Sequence, residues 1–212
     1  MASMMVMQIE GHMEKIFHMF AYLRIKHNSS MAFDPVEPNI DEYQFVHEDW
    51  LASAYGEFNE ELSTNAPQPK GVGFTMIAFV DSDYTGELTT RRSRTGFVKF
   101  LSSAPIYWLS KRQISVERSS FGFEFITIKH CCEYIWILSY KLRMMGTPID
   151  FPTYIIGDNQ YVIYNTSKPR SVLKNKPSYI AFNLVREGTA KDEWQTSYIN
   201  TNLNPDYILT KA

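Results

Sequence analysis

Apolar residues follow two different rhythms along this chain. Between residues 9 and 26 they recur at helical spacing. Ile16, Phe20 and Leu23 lie in line with Met13 and Phe17 beside them, which predicts an amphipathic helix stopped by His27-Asn28-Ser29-Ser30. From residue 34 to 70 the rhythm is lost and Pro35, Pro38, Pro67 and Pro69 punctuate an acidic stretch. That predicts an irregular connector ending in a linker over residues 65–73. Its aromatics Tyr43, Phe45, Trp50, Tyr55 and Phe58 imply that it packs on something.

The period then changes. Residues 75–81, 96–101 and 105–109 are short runs of strand formers, the last two separated by Ser102-Ser103-Ala104, with a polar turn over residues 83–94. They predict a three-stranded antiparallel meander. Phe125, Ile128, Cys132, Ile135, Leu138 and Leu142 follow at three- and four-residue spacing. They predict a buried helix, N-capped by Ser119 or Ser120 and ending at Gly146 before Pro148. A fourth strand over 153–156 closes at Gly157-Asp158-Asn159. Short helices to Thr166 and over 179–187, a fifth strand over 194–199 and a last helix over 205–211 complete the chain. The order β-β-β-α-β-α-α-β-α predicts an α/β fold whose mixed five-stranded sheet is flanked by helices. The predicted division is 1–70 and 71–212, with the acidic connector over 28–69.

Composition narrows the class. The 212 residues, 44% hydrophobic and 21% charged, suffice for one sizeable domain, or one domain plus an appendage, and are unlike a disordered or fibrous chain. No apolar run approaches the roughly 20 residues of a membrane span. The N-terminus lacks a basic segment ahead of an apolar one, so the expectation is an intracellular protein, cytoplasmic or nuclear, that is not secreted. The adjacent Cys131 and Cys132 fit neither a disulfide nor a zinc spacing, and His12, His18, His27, His47 and His130 form no i, i+4 pair. Trp108 and Trp194 read as sheet-core aromatics.

The net charge of −2 hides two unlike parts. Residues 1–69 carry 3 Lys/Arg against 11 Asp/Glu, residues 70–212 carry 18 against 12, and none of the cations falls within 28–69. The first part repels a polyanion and the second attracts one. Three acids stand at element ends: Asp81 at the end of the first strand, Glu124 in the first turns of the long helix, and Asp158 at the end of the fourth strand. If the first and fourth strands are neighbours, these carboxylates converge at one end of the sheet. Such a cluster suits a hard cation such as Mg²⁺.

The residues around these acids carry a resemblance. Val80-Asp81-Ser82-Asp83-Tyr84-Thr85-Gly86 and Arg91-Arg92-Ser93-Arg94-Thr95-Gly96 resemble the start of the ribonuclease H domain of copia-type retrotransposon Pol polyproteins. In order, Trp108-Leu109-Ser110-Lys111-Arg112-Gln113, Ser119-Ser120-Phe121-Gly122-Phe123-Glu124-Phe125, Gly157-Asp158-Asn159-Gln160 and Ile208-Leu209-Thr210-Lys211 are similar to its later blocks. Residues 12–23 look like the connection that precedes this domain. The resemblance implies hydrolysis of the RNA strand of an RNA–DNA hybrid by two Mg²⁺ ions about 4 Å apart, with Mn²⁺ as a substitute. Asp81 would bridge the ions, and Glu124 and Asp158 would each bind one. Arg91, Arg92, Arg94, Lys111 and Arg112 would contact phosphates, and Gln160 would reach a sugar hydroxyl. The ancestral partner would be a reverse transcriptase domain of the same polyprotein; no membrane partner is implied.

Two departures qualify this. The family's last acid directly precedes the Ile-Leu-Thr-Lys block, where this chain has Tyr207; Asp206 lies one position earlier, about 100° away if both are helical. Asn183 stands where the family often has histidine. The expectation is weakened or absent activity that Tyr207→Asp would raise, in a truncated, partly degenerate copy that opens within the connection. Two other readings stand beside this one: a remnant that binds nucleic acid without cleaving it, and an interaction fragment whose acidic connector needs a partner.

Overall fold

The alternating runs become one five-stranded sheet in the computed structural model, which describes residues 10–30, 32–45, 47–50, 53, 55, 63–83, 92–114, 119–172 and 179–210. The strands are β1 (Phe74–Asp83), β2 (Arg94–Leu101), β3 (Ala104–Arg112), β4 (Ile149–Gly157) and β5 (Trp194–Tyr198). Their order is β3-β2-β1-β4-β5, antiparallel across β3-β2-β1 and parallel across β1-β4-β5. Helices α1 (Glu10–Ile25), α2 (Ser120–Met144), α3 (Gln160–Ser167), α4 (Tyr179–Ala190) and α5 (Tyr207–Thr210) complete the predicted order. Arg91, Phe58, Lys211 and the Tyr84-Thr85-Gly86 part of the first turn lie outside the described residues.

The meander closes as expected. Ser102, at φ 52°, turns β2 into β3, and β1 pairs with β4 from Ile77↔Tyr154 to Val80↔Gly157. That pairing sets the end of β1, with Asp81, beside the end of β4, with Asp158. Helix α2 has both predicted caps. Ser119 Oγ accepts from the Gly122 amide, while Gly146 (φ 72°) donates to Arg143 O and Thr147 to Leu142 O, a Schellman ending.

One face of the sheet carries Met76, Ala78, Val80 and Phe97 against Phe125, Ile128, Cys132 and Ile135 of α2, with Phe182 and Val185 of α4 and Trp194 in the same core. Burying such side chains contributes about 1.5–3 kcal/mol each. The opposite face presents Ile77, Phe79, Tyr154 and Ile156, and the acidic stretch covers it with Ile40, Tyr43 and Phe45. Its path is pinned at intervals. Val36 O accepts from the Ser103 hydroxyl at 2.7 Å, Gln44 O accepts from Ser197 Oγ at 3.1 Å, and the Phe45 and Tyr154 rings lie 4.6 Å apart. Farther along, Arg186 of α4 lies over the rings of Trp50 and Tyr55 and donates to Ser171 O.

The chain packs as two compact units, Met1–Ala32 and Phe33–Ala212, so the described residues from Phe33 onward belong with the sheet. Within the first unit α1 leaves Met13, Phe17, Phe20 and Leu23 exposed. Among the described residues no helix is long and apolar enough to cross a membrane.

Two expectations need correction. Trp194 is fully buried, but Trp108 is exposed: it lies on the edge strand β3 beside Val98, on the connector side of the sheet, where neither apolar cluster extends. The last helix is shorter than predicted. It starts at Tyr207, because a 3-10 turn (Thr201–Leu203) and a turn at Asn204 occupy the residues before it.

Candidate metal centre

Asp81, Glu124 and Asp158 meet at the end of the sheet where β1, β4 and the start of α2 converge. One oxygen of each carboxylate lies within 4.8 Å of the others. Each is placed by its own element. Asp81 is 1% exposed on β1, opposite Gly96 of β2. Glu124 rides the first turns of α2, whose start is tied down by Gln113: its Nε2 donates to Phe123 O (3.1 Å) and to Thr95 Oγ1 (3.0 Å). Asp158 follows β4, and Asn159 then caps α3 by accepting from the amides of Tyr161 and Val162.

A further acid, Asp206, lies within electrostatic reach of Asp81 and Asp158. Its carboxylate is fully buried, and neither oxygen has a hydrogen-bond partner among the described residues. Gly96 makes room for it: a Cβ there would stand 2.8 Å from Asp206 Oδ2. Tyr207, in the position expected to intrude, points outward and is 44% exposed. The 100° argument does not apply, because Asp206 precedes α5 rather than lying on it. Burial, chiefly, pushes the Asp206 carboxyl up to about 8. The Asp81 charge adds to the rise, the Asp81 backbone amide offsets part of it without hydrogen-bond geometry, and Asp158 contributes last. Thr210 Oγ1 donates to Asp81 Oδ2, so the terminal turn touches the central acid directly.

The donor set fits a hard divalent cation. Converging carboxylates, one of them buried without a hydrogen-bonding partner, are costly without compensating positive charge. All the atoms offered are oxygens, which suit Mg²⁺ or Mn²⁺.

The cationic candidates divide by position. Arg94 and Arg112 are cross-strand partners at this end of the sheet, with Lys111 opposite Thr95 and Arg92 just before β2. Lys111 is exposed, Arg92, Arg94 and Arg112 are half-buried, and Arg94 also reaches Ser110 Oγ at 3.4 Å. Gln160 is exposed in the first turn of α3. Asn183 lies elsewhere and is engaged by the connector, its Oδ1 accepting from Tyr55 OH at 2.7 Å. Sequence reasoning missed Asn204, Thr210 and the buried orientation of Asp206. The Asn204-Pro205-Asp206 string carried the signal, since asparagine ahead of such a turn accepts from the amide two residues on.

No protein-family model matches the chain. Over 143 residues, 67% of its length, it is 27% identical to the retrovirus-related Pol polyprotein from transposon RE2 of Arabidopsis thaliana, of which it covers 10%. A 56-residue stretch is 52% identical to an uncharacterized mitochondrial protein of the same plant, covering 26% of this chain and 23% of that protein. The chain thus spans about a tenth of the length of the Pol polyproteins it matches. Among solved structures, LC11-RNase H1 in complex with RNA/DNA hybrid superposes with a TM-score of 0.51 at 12% identity, over 64% of this chain and 94% of that one. RNase H1 from Halobacterium salinarum NRC-1 does so at 0.50 and 12%, with the same coverage. Over about two thirds of its length this chain is homologous to the copia-type, retrovirus-related Pol polyproteins of transposons, and its fold is that of ribonuclease H.

Proposed function

We propose that this chain is a ribonuclease H-type hydrolase that cuts the RNA strand of RNA–DNA hybrids, with Asp81, Glu124, Asp158 and Asp206 holding two Mg²⁺ ions or, in substitution, Mn²⁺. The observation that carries the reading is the buried Asp206 carboxyl, with no hydrogen-bond partner among the described residues, in electrostatic reach of Asp81 and Asp158, which with Glu124 offer oxygens within 4.8 Å of one another. When bound, divalent cations there supply Lewis-acid stabilisation of an in-line displacement at phosphorus. Asp81, fixed by its strand and by Thr210, is the central ligand, and Glu124 and Asp158 close the set from α2 and β4. Arg92, Arg94, Lys111 and Arg112 hold phosphates of the hybrid at the same end of the sheet, and Gln160 reaches a sugar hydroxyl. Residues 71–212 carry the catalytic sheet in this reading, and the preceding segment covers its second face. The ancestral partner is a reverse transcriptase domain, as the matched polyproteins suggest.

Cleavage of a labelled hybrid with Mg²⁺ and then Mn²⁺ tests the proposal. Activity is expected from the unaltered chain, with a loss of about 100-fold or more in Asp81→Asn and in Asp206→Asn. Tyr207→Asp is expected to give no gain, because that side chain faces solvent. Folded protein that leaves the hybrid intact under both metals would overturn the hydrolase reading.

A further inference from the structure

The fourth acid enters the site from a position that counting back from the Ile208-Leu209-Thr210-Lys211 block does not select, and a single side chain accounts for this. Asn204 is 4% exposed. Its Nδ2 donates to Val80 O at 2.9 Å, and its Oδ1 accepts from the Asp206 amide at 3.1 Å. Its own carbonyl accepts from the Tyr207 amide at 3.2 Å. Val80 directly precedes Asp81 on β1, so one carboxamide ties the strand bearing the central acid to the turn bearing the fourth. Farther along, Ser110 Oγ donates to Leu209 O at 2.5 Å and Thr210 Oγ1 donates to Asp81, closing the turn over the site. The bridge needs a donor and an acceptor on one short planar group. An ionised aspartate has no donor, and serine is too short to reach the strand while still serving the turn.

The geometry points to Asn204 as the positioning residue that fixes Asp81 and Asp206 relative to each other and turns residue 207 outward. Which residue supplies the fourth carboxylate is then set by this anchor rather than by distance from the terminal block. The inference deepens the metal-site reading and rests on it only for its metal-binding readout.

Two measurements on the full chain test it separately. The first uses no metal. Cysteine is introduced as Asp206→Cys or Tyr207→Cys, and labelling by a maleimide is timed; the native Cys131 and Cys132 are buried and supply little background. The thiol at 206 is expected to be protected roughly tenfold or more relative to that at 207, and adding Asn204→Ala is expected to remove most of this difference. Asn204→Ser keeps a hydroxyl acceptor near the Asp206 amide and loses only the bond to Val80, so it provides a milder variant if the alanine protein does not fold. Labelling of both positions that is indifferent to Asn204 overturns the proposal.

The second measurement is calorimetric titration with Mn²⁺. Asn204→Ala and Asn204→Ser are expected to weaken binding by about 10-fold or more, as for other partners behind metal ligands, while Tyr207→Asp leaves it unchanged. Binding equal to the unaltered chain in both Asn204 variants, with Asp206→Asn weakened, also overturns it. Absence of Mn²⁺ binding by the unaltered chain would instead sink the metal reading, and the labelling pattern would still decide the positioning claim.

Discussion

Lys99 shows how a single residue can oppose the fold that contains it. It is 0% exposed on β2; its Nζ donates to Cys131 O at 3.2 Å and lies 5.3 Å and 5.6 Å from the Phe97 and Tyr134 ring centres. Burial lowers its pKa, and the nearby Cys131 and Cys132 oppose that only in their charged forms. Burial drives those thiols the other way, Cys131 to about 11 and Cys132 well above its usual value. Among the described residues the ammonium therefore meets a carbonyl and two rings but no carboxylate, and a methionine of similar length fills the same volume without desolvating a charge. Lys99→Met is expected to stabilise the protein by about 1–3 kcal/mol at pH 7. The sign with pH follows from the lowered pKa. Between the folded value and the unfolded 10.5 the folded state binds fewer protons, so the unaltered protein gains stability as pH rises. The gap between the two proteins should narrow toward pH 10. The burial that raises Cys131, Cys132 and Tyr107 is common to both proteins and largely cancels in the difference. Urea melts at pH 7 and pH 10 read this directly, and a gap that widens would show that the lysine is stabilised where it lies.

At the scale of elements, most of the order was legible because the two periods differ so clearly. A short run of strand formers over residues 75–81 marked β1, and the three- and four-residue spacing from Phe125 to Leu142 marked α2 with both of its caps. Where tertiary contacts decide, the sequence was silent. Trp108 looks like a core residue until β3 proves to be the edge of the sheet, and residues 205–211 read as one helix until Asn204 anchors to Val80. The three acids were legible as strand and helix ends, whereas the setting of Asp206 involves the Asn204–Val80 hydrogen bond, which spans 124 positions. Helix–strand packing is another such case. Gly188 of α4 abuts Trp194 of β5, and a Cβ there would overlap the indole. That ring cannot easily retreat, since it is fully buried and its Nε1 donates to Val185 O at 2.9 Å. Gly188→Ala is therefore expected to cost about 2 kcal/mol and to lower Tm by roughly 4–8 °C. In a Trp194→Leu background the same substitution should cost less; strictly additive melting shifts would mean that the two residues do not contend for space.

Over the whole molecule, charge and layering act together. The acidic stretch covers the sheet face opposite α2, with Asp41 and Glu42 exposed among its acids. The cations Arg92, Arg94, Lys111 and Arg112 gather at the β2–β3 end beside the candidate metal centre. A polyanion is thus drawn to one end of the sheet and repelled from the connector face. If these four cations contact phosphates, hybrid binding releases about that many counterions, and log affinity should fall against log salt with a slope of about −3 to −4. Two comparisons separate contact from general attraction. Arg94→Gln with Lys111→Gln should make the slope about 2 units shallower, because two contacts are lost. Asp41→Asn with Glu42→Gln should leave the slope unchanged, because acids remote from the phosphates release no counterions from them. Binding measured from 50 to 300 mM salt in Ca²⁺, which occupies carboxylate sites without supporting rapid turnover, keeps cleavage out of the reading. A slope that ignores the Arg94 and Lys111 substitutions would place the hybrid on another surface.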